Sequence, residues 1–239
     1  MRTAMATTTA TEQARLYRLM AWLSPAFPTG GFSYSHGLEY AVEAGLADNR
    51  DRALTWVEGV LRFGAGRLDA GLFALAWRAV ERGDDEGFLE VAELAAALRG
   101  TSELKLEAGA QGKAFLLAVE TGWPSKRVAA LGKAMAGRGI DASLPVSVAM
   151  AAAAHGLMLG QTLQAYVQAF AANLVSAAVR LVPLGQSDGL RLLAALEPAT
   201  RAAVSSGLAA TLDDLGAAAP MVDWCSMRHE TQYTRLFRS

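Results

Sequence analysis

The chain has 239 residues, 52% of them hydrophobic, which is enough to bury the core of one large domain or two small ones. Its 22 basic and 23 acidic residues are spread along the whole length, so no basic patch points to nucleic acid as a partner. The single cysteine, Cys225, excludes an internal disulfide and fits a reducing compartment, and we expect a cytoplasmic protein.

The N-terminal segment, residues 1–11, is rich in threonine and alanine and offers little apolar surface to bury. Segments of this composition do not gain enough from burial to offset the entropy lost on ordering. We therefore predict a disordered leader over residues 1–11, followed by one all-α domain over residues 12–239.

Apolar residues recur three and four positions apart through most of the chain, which is the spacing of one face of an α-helix. The first such stripe consists of Leu16, Leu19, Met20 and Leu23. The longest stripe runs from Leu163 to Leu181, and Pro183 predicts the end of its helix. Strand signals are nearly absent, because alternating runs of β-branched residues are missing. The sequence predicts an all-α bundle of about ten helices.

One long stretch without charge requires a comparison with membrane spans. No Asp, Glu, Lys or Arg occurs between Leu144 and Val179, and the length alone would permit a span. Alanine dominates this stretch, however, and glycines, glutamines and an asparagine interrupt it. We predict buried helices here and no membrane segment, and so much alanine predicts closely stacked helices.

A segment dense in proline, glycine, serine and aromatic residues, Ser24–Gly37, departs from the helical pattern; we call it the corner. Pro25 and Pro28 fix the backbone angle φ, while Gly30 and Gly31 admit backbone angles that other residues avoid. The composition predicts a shaped turn rather than a flexible connection.

The residues that close the corner suggest how it joins the next helix. Ser33 or Ser35 can cap that helix, and His36 and Glu39 are three positions apart at its start. The two side chains can hydrogen bond to each other or face a partner together. A rigid structural corner and a functional surface both remain open on this evidence.

A second segment outside the pattern is the tail, Asp223–Ser239, which is dense in arginine and aromatic residues. Its relevant side chains are Arg228, Tyr233, Arg235, Leu236, Phe237 and Arg238. Such residue types are enriched at the energetic centres of protein interfaces. Two interpretations stay open: a tail that docks onto a partner, and an intramolecular helix folded on the core with its arginines solvated.

Motifs of the common enzyme classes are missing from the sequence. No phosphate-binding loop with its lysine occurs, Ser35 stands where a nucleophile elbow needs glycine, and His229 lacks the second histidine of a zinc protease. Cys225 and His229 lie four apart, on one face of a helix, and are weak candidates for metal ligands. A buried thiol beside a hydrogen-bonded histidine is the interpretation that we favour. We expect no catalytic residue.

Three stretches of the sequence resemble the signatures of the urease accessory protein F family. The first is Ser24–Pro25 with Phe27–Glu39, the second is Leu181–Gln186, and the third is Ser226–Tyr233 with Arg235–Ser239. They occur in the family's order and span most of the chain, which makes the match far more specific than a short motif. Ser102, Glu103 and Gly112 also resemble the family's weaker central pattern.

The resemblance implies an all-α protein that forms a dimer and acts in urease maturation. Its implied partners are the urease accessory protein D (also called H), the accessory GTPase G and apo-urease, into which the complex inserts nickel. The resemblance implies no tightly bound cofactor, since nickel is handled by the complex. The residues that it implies in partner binding are Pro28, Gly30, Gly31, Phe32, Tyr34, Ser35, His36, Glu39, Arg228, His229, Glu230, Tyr233, Arg235, Leu236, Phe237 and Arg238.

Three functions remain in competition at this point. The first is a scaffold and adaptor that makes and breaks no bonds. The second is a GTPase-activating regulator in which Arg235, Arg238 or Glu39 reaches the nucleotide of the GTPase. The third is an unrelated helical enzyme or ligand-binding bundle, which the missing catalytic motifs oppose. We expect the adaptor.

Overall fold

The computed structural model describes the backbone of residues 2–239 and the side chains from Thr11 onward. Within that part of the chain, the fold consists of twelve α-helices and two 3₁₀ turns, Gly31–Ser33 and Leu212–Asp214, with no β-strand. The helices are α1 (Arg2–Trp22), α2 (Leu38–Glu43), α3 (Arg50–Phe63), α4 (Ala65–Arg82), α5 (Asp85–Ala97), α6 (Ser102–Gly122), α7 (Lys126–Gly137), α8 (Leu144–Ala154), α9 (Leu159–Leu181), α10 (Gln186–Ala195), α11 (Glu197–Ala209) and α12 (Pro220–His229). The predicted all-α, single-domain bundle is confirmed.

Four of the helices begin at a short polar side chain that the sequence supplies. These residues are Asn49, Asp84, Thr101 and Ser125, which precede α3, α5, α6 and α7. Each side chain accepts a hydrogen bond from the backbone N–H three residues later, at 2.9 to 3.5 Å. Such caps satisfy one of the N–H groups that a helix start leaves unpaired.

The core is built around α4, which packs against α3, α5, α8, α9 and α11. Small residues let these helices approach closely, as we predicted from the alanine content. At Gly207 of α11, an added Cβ would lie 2.6 Å from the backbone of Ala70 in α4, which is inside van der Waals contact. Only glycine permits this approach, and the same holds where Gly112 of α6 meets the backbone before α8.

The uncharged stretch forms the buried helices that we predicted. Residues Pro145 to Ala152 of α8 are all buried, between α4 and α6. The long helix α9 ends at Leu181, two residues before Pro183, also as predicted. Among the residues that the structure describes, no helix has the length and apolar character needed to cross a membrane.

The N-terminal helix differs in part from what the sequence predicts. Leu19 and Leu23 pack against the core, but Leu16 and Met20 are 56% and 67% exposed, so the predicted stripe is only half buried. The backbone of α1 is helical from Arg2, and the side chains up to residue 10 and all of Met1 lie outside the described part. Disorder of residues 1–11 stays a prediction.

A second, smaller cluster of buried residues connects four helices to the end of the chain. It contains Leu38 and Ala41 of α2, Ala53 of α3, Ala177 and Ala178 of α9, Cys225 of α12, and Phe237 of the tail. Because Phe237 is 4% exposed, the tail is part of the fold and covers α2 and α9. This cluster positions the site described next.

Candidate functional site

The corner is shaped by three residues with a left-handed backbone. Gly30, His36 and Gly37 have φ angles of 73°, 58° and 76°. Of the two glycines that the sequence singles out, Gly30 uses this backbone freedom, whereas Gly31 has no positive φ and lies close to Gln111. At Gly37 a Cβ would lie 3.1 Å from the backbone nitrogen of Ser226, so glycine here lets the corner touch α12.

The start of α2 departs from the predicted capping arrangement. Gly37 occupies the N-cap position, and the Ser35 hydroxyl accepts a hydrogen bond from the N–H of Glu39 at 3.3 Å. His36 and Glu39 form no hydrogen bond or ion pair with each other among the described residues. The left-handed backbone at His36 directs its ring toward Glu107 instead, at 3.4 Å.

The tail closes over the corner through backbone hydrogen bonds. The N–H of Ser35 donates to the carbonyl oxygen of Ser239 at 2.8 Å, and the Ser35 hydroxyl donates to the same oxygen. The N–H of Arg238 donates to the carbonyl oxygen of Ser33 at 2.8 Å. These bonds join residues about two hundred positions apart, so the corner and the tail form one unit.

Glu39 is the main side-chain anchor of the tail. Its carboxylate accepts hydrogen bonds from the backbone N–H groups of Leu236 (2.6 Å) and Phe237 (2.9 Å). The same carboxylate lies 3.0 Å from Nε2 of His229, and the Glu39 side chain is buried. A buried carboxylate is tolerated when it is hydrogen bonded and paired in this way.

His229, at the end of α12, lies between two carboxylates. Its Nδ1 is 2.8 Å from Glu103, and its Nε2 contacts Glu39. The ring is thereby held from both sides, since each of its nitrogens lies within hydrogen-bond distance of a carboxylate oxygen. Glu103 also accepts a hydrogen bond from Arg235 at 2.7 Å, which brings a positive charge to the pair of carboxylates.

A third buried carboxylate, Glu107, completes the contact between α6 and the tail. It accepts a hydrogen bond from the Ser239 hydroxyl at 2.7 Å and lies beside His36. Sequence reasoning missed Glu107 and noted Glu103 only as part of a family pattern. A signal was present: Glu103, Glu107 and Gln111 repeat every four residues and thus share one face of α6.

The structure divides the predicted partner-binding residues into three groups by burial. Those buried in the contact between corner and tail are Tyr34, Ser35, His36, Glu39, His229 and Phe237. Those with exposed side chains are Pro28, Phe32, Arg228, Glu230, Tyr233, Arg235, Leu236 and Arg238, while Gly30 and Gly31 are half-buried. Partner binding by these residues stays a prediction, and the buried group serves the docking of the tail in this structure.

The weak metal candidates lie on one helix but have different surroundings. Cys225 is fully buried in the second cluster, and burial raises the pKa of its thiol to about 11, which disfavours the thiolate that binds metals. Both ring nitrogens of His229 already contact carboxylates. Within the described residues, no group of three or more His, Cys, Asp or Glu side chains is arranged to hold a metal ion.

Outside the buried network, the same region exposes several large apolar side chains. Phe32 of the corner and Leu236 of the tail are 67% and 65% exposed, and Tyr233 is fully exposed. Arg180 of α9 connects the corner with the tail, because it donates to the carbonyl oxygen of Phe32 at 2.8 Å and its guanidinium lies 4.3 Å from the centre of the Phe237 ring. These contacts of Arg180 hold the corner and the tail next to each other.

Comparison with known proteins adds evidence that geometry cannot supply. The sequence profile of the UreF family matches residues 47–197. The chain is 50% identical to the urease accessory protein UreF of Rhodopseudomonas palustris (strain TIE-1) over 230 residues, which cover 96% of this chain and 95% of that protein. It is 47% identical to the UreF protein of Granulibacter bethesdensis, with 98% of each chain covered. The corner and the tail lie outside the profile match, but the similarity to these relatives covers nearly the whole chain.

Proposed function

Because the chain belongs to the UreF family of urease accessory proteins, we propose that it acts in urease maturation as a non-catalytic adaptor. In this role it forms a dimer in the cytoplasm and binds accessory protein D, and through it the accessory GTPase G. The assembled complex inserts nickel into apo-urease, driven by GTP hydrolysis on the GTPase. Nickel is the cargo of the complex, and the adaptor itself holds no tightly bound cofactor.

The observation that carries the adaptor role is the exposed apolar surface of the corner and the docked tail. Phe32 of the corner and Tyr233 and Leu236 of the tail present large apolar side chains to solvent, while hydrogen bonds from Leu236 and Phe237 to Glu39 hold the backbone of the docked tail. A surface that is ordered before binding loses less entropy when a partner covers it. Exposed aromatic and aliphatic groups of this kind mark protein-binding surfaces.

The alternative role, a GTPase-activating regulator, is less consistent with the contacts. Glu39 lies buried under the tail, and Arg235 is paired with the buried Glu103, so neither is free to reach a nucleotide. Arg238 is exposed, but its guanidinium lies over the Tyr34 ring at 5.6 Å. GTP turnover by the purified GTPase, with and without this protein, distinguishes the roles. A stimulation on the order of a thousandfold would favour the regulator.

The adaptor role is tested by copurification with the accessory proteins, followed by a urease activation assay. We expect the double variant Tyr233→Ala/Leu236→Ala to lose both copurification and nickel loading, because it removes exposed apolar contacts without touching the buried network. The matched control is Leu190→Ala on α10, a residue that is 70% exposed and far along the chain from the tail. Both variants should keep the wild-type melting temperature within a few degrees.

Two outcomes of this experiment count against the proposed surface. If the double variant still copurifies with accessory protein D and activates urease, the exposed side chains of the tail do not bind the partner. If the Leu190→Ala control fails to the same extent, the effect does not come from the tail. Light scattering tests the dimer separately, and a mass of one chain, 25.1 kDa, would contradict it.

A further inference from the structure

A cavity of about 310 Å³ lies behind the corner, between α6, α8 and α9. Its lining includes the aromatic side chains of Trp22, Phe115 and Phe170. It also includes the polar side chains of Asp69, Arg99, Tyr166, Glu107, Gln111 and His36, and the His36 ring contacts that of Phe170, 5.4 Å centre to centre. The adaptor role described above does not explain this cavity.

The polar side chains of the lining include a buried ion pair in which one hydrogen-bond donor is unpaired. Arg99 contacts Asp69 at 2.7 Å and donates through Nε to the carbonyl oxygen of Ala95, while the Tyr166 hydroxyl donates to the other oxygen of Asp69 at 2.9 Å. The Arg99 side chain is 5% exposed, and its Nη2 has no hydrogen-bond partner among the described residues. An unpaired donor at such depth is costly and is found where another group supplies an acceptor.

The charges around the cavity select the kind of group that fits. An anion near Arg99 would also face the carboxylates of Asp69 and Glu107, and a cation would face the guanidinium. A neutral group that both accepts and donates avoids repulsion from either kind of charge. Its oxygen can accept from Arg99, and its N–H can donate to Glu107 or Gln111. A carboxamide has this combination of one acceptor and two donors.

The size of the cavity exceeds what a single ordered water requires. A single water needs only about 10–15 Å³ of such space, so a cavity of about 310 Å³ holds far more than the one acceptor that the unpaired nitrogen of Arg99 requires. Cavities that bind small molecules begin at about 300 Å³ and combine an apolar lining with a few polar groups. Trp22 and Phe115, which pack edge to face with ring centres 6.0 Å apart, supply aromatic surface to this lining.

We propose that this cavity binds a small neutral molecule with a carboxamide-type group at one end and an aromatic or aliphatic body. The polar end contacts Arg99 and the acidic and amide side chains of α6, and the body packs against the aromatic side chains of the lining. The lining shares Phe32 with the proposed partner surface but includes no residue of the tail.

Three probes of equal size and different charge test the proposal: benzamide, benzoate and benzylamine at pH 7.5. We expect saturable binding of benzamide with a Kd on the order of a millimolar, the range that about nine heavy atoms can reach. Benzoate and benzylamine should bind at least about tenfold more weakly. Calorimetry gives the Kd, and the NMR signal of the Trp22 indole N–H should shift with benzamide because this residue lines the cavity.

A pair of variants on α6 locates the binding. Ala108 lines the cavity, so Ala108→Leu fills it and should weaken benzamide binding at least about tenfold, whereas Ala110→Leu, on the same helix and outside the lining, should not. Both replacements keep the ion pair intact. The proposal is wrong if no probe binds saturably, if benzoate or benzylamine binds better than benzamide, or if both variants weaken binding equally.

Discussion

Replacing Glu39 by glutamine removes the charge that anchors the tail but keeps the size of the side chain. The carboxylate accepts hydrogen bonds from two backbone N–H groups, of Leu236 and Phe237, and contacts His229. Hydrogen bonds to a charged group contribute about 1.5–3 kcal/mol each. Glutamine keeps one acceptor oxygen, but its NH₂ group is a donor and would face one of the two backbone N–H donors. We expect the change to weaken the docking of the tail by about 3 kcal/mol. This is less than the sum of the separate hydrogen-bond contributions, because the contacts are coupled.

Hydrogen exchange measures this loss directly, because amides exchange through local opening of a segment as well as through global unfolding. A decrease of about 3 kcal/mol corresponds to roughly a hundredfold faster exchange of the Leu236 and Phe237 amides. Amides in α4 and α8 should keep their protection, because those helices pack against each other in the core.

The matched control is Glu90→Gln on α5, which makes the same chemical change at an exposed side chain. Exchange in the tail should then equal that of the wild type. If the Leu236 and Phe237 amides exchange at the same rate in both variants, the carboxylate of Glu39 does not hold the tail, and the electrostatic account of the site is refuted.

Three further predictions concern packing, reactivity and pH. Gly112→Ala should lower the free energy of unfolding in urea by about 2 kcal/mol or more, because the added Cβ would lie 2.1 Å from the carbonyl oxygen of Ala142. Gly109→Ala on the same helix has open space and should raise the free energy of unfolding by about 0.5–1 kcal/mol. Equal effects of the two changes would contradict the clash. Cys225 should react with thiol reagents at least about tenfold more slowly in the native protein than in urea, because burial raises the pKa of its thiol; similar rates would show that the cluster is open. Burial, and then Arg18, lowers the pKa of His155 below its ordinary value of 6.5, so the unfolded chain binds the proton first and stability should fall as pH drops from 7.5 to 5.5. His155→Gln should make this loss of stability with falling pH smaller. A larger loss in the variant than in the wild type would contradict the direction of the His155 pKa shift.

Local patterns were sufficient for the helices, because helix formation depends on neighbours in sequence. The stripe from Leu163 to Leu181 and the stop at Pro183 predicted α9 and its end. The same patterns were less reliable at α1, where Leu16 and Met20 have helical spacing but remain exposed. A stripe shows which residues share a face, and only the neighbouring elements decide whether that face is covered.

The sequence by itself determined the fold class, the family, and the two segments that depart from the helical pattern. It left open whether the tail binds a partner or folds back, and the tertiary structure shows the tail folded back, with Phe237 in a cluster with α2 and α9. Glu39 and His229 are 190 positions apart, and Glu103 comes from a third helix. No local pattern encodes such a contact, because it exists only once α2, α6 and α12 have packed and removed these charges from water.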